Sequence, residues 1–123
     1  MKPGSTIRST DQKDLKDRYG YLSKGLLSAN TVTKAYETSQ FTEYVNIYLN
    51  ITNDSPDPVD IQVWISDKRE PEREDILETS IPLDGKLTYL RGPILVGKGE
   101  RVFLRASTGN VVYRISGYDE RKL

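Results

Sequence analysis

The side chains available for chemistry in this 123-residue chain are hydroxyls, carboxylates, amines and guanidiniums, because it contains neither cysteine nor histidine. That removes the thiolate nucleophile, the commonest general base and the commonest metal ligand. The serines, aspartates and lysines form no base–nucleophile motif, no phosphate-cradling glycine loop and no serine elbow. A pair of carboxylates acting as in glycosidases needs two acids brought together across a substrate. Most acids here stand instead in solvated charge runs such as DKREPERED at 67–75. The turn from Asn53 to Asp60 (NDSPDPVD) offers oxygen ligands suited to calcium but lacks the spacing of a calcium loop. Asx side chains bonding the local backbone account for it better. These residues predict a protein that is not an enzyme, with no cofactor and no metal site.

Aromatics and arginines carry the stronger signal. In the stretch 43–53, Val45, Ile47, Leu49 and Ile51 alternate with Tyr44, Asn46, Tyr48 and Asn50; in Val59–Ser66, Ile61, Val63 and Ile65 repeat the pattern. Matching these apolar sets side by side pairs Ile51 with Ile61, Leu49 with Val63 and Ile47 with Ile65. It also sets Tyr48 opposite Trp64 on the outer face, so that Tyr44, Tyr48 and Trp64 form one stripe. Exposed Tyr and Trp clusters are common at partner surfaces. The plainer alternative is that the N-terminal arm or a second sheet covers them; a sugar-stacking platform is a third reading.

The last third repeats the theme. Gly109-Asn110 is a two-residue connection of the kind that suits a primed turn, and it predicts a hairpin of 101–108 with 111–118. In that register Thr108 faces Val111, Ala106 faces Tyr113, Leu104 faces Ile115 and Val102 faces Gly117. The buried set is then Val102, Leu104, Ala106, Tyr113 and Ile115. The outer set is Phe103, Arg105, Arg114 and Tyr118, with Arg105 directly opposite Arg114. Like charges across strands destabilise, so an acidic partner, another chain or divergence into water must relieve them.

The elements that must position these side chains are strands. Period-two stretches at Tyr19–Leu27, 30–37, 43–53, Val59–Ser66, 76–81, 87–90, 94–96 and the final pair, with turn signals between them, predict an antiparallel sandwich. The expected class is all-β: an immunoglobulin-like, or jelly-roll-like, β-sandwich of about seven to nine short strands. Residues 1–18 contain only Met1, Ile7 and Leu15 as large apolar residues. They read as a polar arm, frayed or ordered on a neighbouring subunit, with Ser9 and Gln12 able to cap a short helical turn over 11–18. Residues 19–123 read as the single sandwich domain.

Charge is balanced at 18 basic and 18 acidic residues. This predicts no general nucleic-acid binding and no polybasic membrane attachment. The polar start MKPGSTIRSTDQ predicts neither a secretory leader nor a membrane span, as for a complete product made in a cytoplasm.

The segment from Leu90 to Ser107, LRGPILVGKGERVFLRAS, followed by 111–120, resembles a recurring ending of small structural proteins of tailed bacteriophages. The matching positions are Gly99-Glu100, Val102 to Ser107, and Gly117-Tyr118-Asp119-Glu120. Thr88-Tyr89-Leu90-Arg91-Gly92-Pro93 departs from the acidic-Arg-Thr run usual before that ending. The resemblance implies a virion component of the tail, neck, fibre or capsid decoration, made in the host bacterial cytoplasm. Its partners would be copies of itself and other virion proteins. No catalytic residues carry over. The alternative expectation is a host-surface or glycan-binding sandwich module. Candidate interface residues on the first reading are Tyr44, Tyr48, Trp64, Phe103, Arg105, Arg114 and Tyr118.

Overall fold

Apolar side chains at every second position become eight strands: β1 (Tyr19–Leu27), β2 (Thr33–Glu37), β3 (Thr42–Asn53), β4 (Val59–Ser66), β5 (Ile76–Leu83), β6 (Thr88–Gly97), β7 (Arg101–Ala106) and β8 (Val111–Arg121). The computed structural model describes residues 19–121. The arm at 1–18, with the helical turn expected at 11–18, lies outside the described residues. A single 3-10 turn at Arg73–Asp75 is the one helical element among them.

The strands form two four-stranded sheets, a first sheet ordered β1-β8-β3-β6 and a second ordered β2-β7-β4-β5. All named pairs are antiparallel. Strand 1 pairs with 8, 2 with 7, 3 with 6 and 4 with 5, as if one long hairpin had been rolled up on itself. Rolling then brings β3 beside β8 and β4 beside β7. The expected all-β sandwich is present, and this strand order is that of a jelly roll.

Two expected pairings are corrected. Strands β7 and β8 do not form a hairpin; they lie in different sheets. Strand β7 stops at Ala106, and residues 107–110 arch across the sandwich. The Ser107 N–H donates to the Asp60 carbonyl at 2.9 Å, and the Asp54 N–H donates to the Asn110 carbonyl at 2.9 Å, so the arch is tied to its neighbours. The same holds for β3 and β4, which are also in separate sheets. The apolar sets that looked like lateral partners belong to opposite sheets of one core. An inward-facing row of Ile and Val satisfies either arrangement, because alternation fixes which face is buried and not which strand lies alongside.

The core consists of those inward rows. Val45, Ile47, Leu49, Ile51, Val111 and Ile115 of the first sheet are buried together with Ile61, Val63, Val102, Leu104 and Ala106 of the second. Tyr113 packs against them. The inner set expected for the final strands is therefore inward, although its lateral partners differ.

Polar links join the sheets at their margins. Glu78 of β5 accepts from Tyr89 and pairs with Arg91 of β6. Burial, then this hydrogen bond to Glu78, pushes the Tyr89 phenol above its usual pKa. On the other margin the Ser23 hydroxyl donates to the Ala35 carbonyl. At the pole where β8 ends, the Arg121 Nε donates to the Asp119 Oδ2 at 2.9 Å. Tyr36 of β2 stands against that carboxylate; burial, and next the Asp119 charge, push its phenol up to about 12.

The acid-rich turn is held by one side chain. Asn53, fully buried, donates through Nδ2 to the carbonyls of Asp57 at 2.7 Å and Leu83 at 3.1 Å. Its Oδ1 accepts from the Ser55 N–H at 3.0 Å and the Ser55 hydroxyl at 2.8 Å. This is the Asx chemistry read from the sequence. Asn53→Ala strands those buried groups and is expected to lower stability by about 2 kcal/mol. Urea unfolding measures it, and a loss within the range of ordinary surface substitutions would contradict this role.

Candidate functional site

The sandwich has two outer faces, and the seven residues singled out from the sequence divide between them. Tyr44, Tyr48, Arg114 and Tyr118 stand on β3 and β8 of the first sheet; Trp64, Phe103 and Arg105 stand on β4 and β7 of the second. The expected stripe of Tyr44, Tyr48 and Trp64 is thus corrected: Tyr48 lies opposite Ser116 in its own sheet, and Trp64 lies opposite Phe103 in the other.

The first face is apolar and polar in alternation. Outward positions on β3 and β8 pair as Tyr44 with Glu120, Asn46 with Tyr118, Tyr48 with Ser116, Asn50 with Arg114 and Thr52 with Val112. Leu95 and Leu90 extend two of these rows onto β6, opposite Asn46 and Asn50. Ten large hydrophobic residues are exposed among the described residues. Seven of them share this face: the tyrosines Tyr21, Tyr44 and Tyr48, and the aliphatics Leu26, Leu90, Leu95 and Val112. Shallow depressions flank Tyr48 on either side, one towards Gly20 and Tyr118 and the other towards Leu90 and Gly92. Of these seven, only Tyr44 and Tyr48 were expected from the sequence as contact residues. The four aliphatics emerge once the lateral order of the strands is known.

Arg114 does not oppose Arg105. Its cross-strand neighbour on β1 is Lys24, so a like-charge pair exists with a different partner. The Tyr21 ring relieves it: the Lys24 Nζ lies 5.3 Å and the Arg114 Cζ 5.2 Å from the ring centroid. A shared aromatic face draws both cations and holds them on the surface. Arg105 is fixed within the second sheet, donating to Gln62 Oε1 at 2.7 Å and Asn30 Oδ1 at 2.8 Å.

The second face is partly roofed. Lys34, Phe103 and Trp64 lie side by side across β2, β7 and β4. The hydrophilic segment 67–75 borders this row, so Phe103 is buried, 3% exposed, despite its outward position. That corrects its expected exposure. The segment is internally braced: the Glu72 N–H donates to the Asp75 Oδ2 at 2.8 Å, and Lys68 pairs with Glu72 at 3.4 Å. The Glu72 N–H, then the Ser66 hydroxyl, holds the Asp75 carboxyl below its usual range. Between segment and sheet lies a cleft of about 540 Å³ bordered by Trp64, Phe103, Val32, Lys34, Arg69 and Arg73, with Glu70, Pro71 and Glu72 on its rim.

Among the described residues no group of three or more acids forms a metal cage, and no helix is long and apolar enough to cross a membrane. The sequence matches no protein-family model and no curated protein.

Proposed function

We propose that this protein is a non-enzymatic structural component of a bacteriophage virion, assembling in symmetric multimers on the tail, neck or capsid through the outer face of its first sheet. The observation that carries the reading is the concentration of seven exposed large hydrophobic residues on that one face. Patches of this kind are interaction surfaces in soluble proteins, and Tyr beside Asn and Ser supplies contact area with adaptable hydrogen bonding. The resemblance of the final third to phage structural proteins supports the virion setting. The jelly roll is in keeping with it, since that architecture serves in viral shells as well as in lectins and cupins.

The occupant of the face is another copy of the chain. Lys24 and Arg114 sit towards one end of the sheet and Glu120 beside Tyr44 at the other. A two-fold axis lying across the strands sets the cations of one copy on the acid of the next, giving a self-complementary contact. Repeated weak contacts in an array then add through avidity.

Sedimentation of the full chain tests this. The protein is expected to self-associate, and Tyr48→Glu combined with Leu95→Glu to leave a folded monomer that no longer enters particles. A wild-type chain that stays monomeric at all concentrations and does not incorporate would refute the proposal.

A further inference from the structure

The cleft on the second sheet lies on the opposite side of the sandwich from the assembly face, and its chemistry is different. We propose that it is a saccharide-binding site for an acidic pyranose, a sugar ring bearing a carboxylate within a polysaccharide chain.

Size and lining point to a small organic ligand. About 540 Å³ falls within the ordinary range of ligand clefts. Its floor is aromatic: Trp64 is partly exposed and Phe103 is buried beside it. A partly exposed indole offers a flat apolar surface with a polar edge, which suits the C–H face of a sugar ring better than a bare anion. Cations stand above that floor. Among the described residues neither Arg69 nor Arg73 takes part in an ion pair, whereas Lys34 is bound to Glu37 at 2.6 Å and Glu72 to Lys68 at 3.4 Å. Two uncommitted guanidiniums beside an aromatic floor match a ligand carrying a carboxylate, which a guanidinium binds through two parallel hydrogen bonds. Glu70 on the same rim supplies an acceptor for sugar hydroxyls.

An extended peptide fits less well. Strand addition needs unpaired backbone, but the floor strands β4 and β7 are paired on both sides, β4 with β5 and β7, β7 with β2 and β4. The ligand must therefore be read by side chains on a sheet face. The segment 67–75 keeps its shape without ligand through the Glu72–Asp75 and Lys68–Glu72 contacts, so the rim is preorganised and little ordering opposes binding.

The chain contains one tryptophan and eight tyrosines, so emission excited at the red edge of the indole band, where tyrosine does not absorb, reports on the cleft floor in the unmodified protein. Titration with an oligogalacturonide is expected to give a saturable change in Trp64 emission. The fully methyl-esterified oligogalacturonide of equal length, neutral but with the same ring configuration, should give none. Arg69→Gln combined with Arg73→Gln removes two charge-assisted contacts at exposed positions and should weaken binding by at least roughly tenfold. Sedimentation of that double variant should match the wild type, which separates this site from the assembly face. The proposal is overturned by no saturable change with the oligogalacturonide, by an equal response to the neutral sugar, or by unchanged affinity in the double variant.

Discussion

Arg121→Met is expected to destabilise the fold by about 3 kcal/mol, far more than its place near the end of the last strand suggests. The reason is its partner. The Asp119 side chain is 1% exposed and the Arg121 side chain 25% exposed, so the two halves of the pair differ in what their loss leaves behind. Removing the arginine takes a charge-assisted donor from a carboxylate that is buried between the sheets beside Tyr36. Removing the acid instead, as in Asp119→Asn, leaves a guanidinium that can swing into solvent. The second loss should be the smaller by at least about 1 kcal/mol. Urea denaturation of both variants measures this asymmetry. Equal losses, or an Arg121→Met effect below about 1 kcal/mol, would show that the pair is solvated and contributes as an ordinary surface bridge.

Gly117→Ala is the second large effect. Gly117 lies opposite Ile47 in the long β3–β8 ladder, at φ +150°, a backbone state that L side chains rarely adopt. A methyl group there would fall 1.9 Å from the Asn46 carbonyl oxygen. Backbone atoms cannot step aside as a flexible side chain can, so β3 and β8 would have to separate. Conformational strain and overpacking together put the cost on the order of 3 kcal/mol, a fall of roughly 10 °C in Tm. Gly109→Ala serves as the control, because nothing lies within 4 Å of its added methyl. Thermal unfolding should leave Gly109→Ala close to wild type and Gly117→Ala well below it. Similar melting temperatures for the two would mean that β3 and β8 yield easily.

The strands themselves were legible in the sequence. Tyr19–Leu27 and Val59–Ser66 have the expected bounds, since alternation and flanking turn residues act locally. Strand β6 departs from expectation, running unbroken over Thr88–Gly97 through Gly92-Pro93 where two short strands were anticipated. Lateral order was the harder quantity. Ile61, Val63 and Ile65 present the same pattern whether β3 lies beside them or across the core, and the short Gly109-Asn110 link suggested a hairpin where the chain arches between sheets. That single ambiguity divided the proposed contact residues between the two outer faces. It also concealed the aliphatic neighbours of Tyr48, because Leu90, Leu95 and Val112 join the tyrosines only through the order β8-β3-β6. The Trp64 cleft depends on where a charged segment packs, which composition does not encode.

The rolled-hairpin connectivity has a mechanical consequence. Strands β1 and β8 are neighbours, with Tyr19 opposite Tyr118, so the chain enters and leaves the sandwich at the same pole. Tension applied between its two ends would peel β1 from β8 one hydrogen bond at a time. The ladder resists such a load in series, not in parallel as it would under shear. An assembly that had to bear load through this domain would be badly served by pulling on its termini. Force is better carried broadside, through the sheet faces, where the stacked core resists as a block.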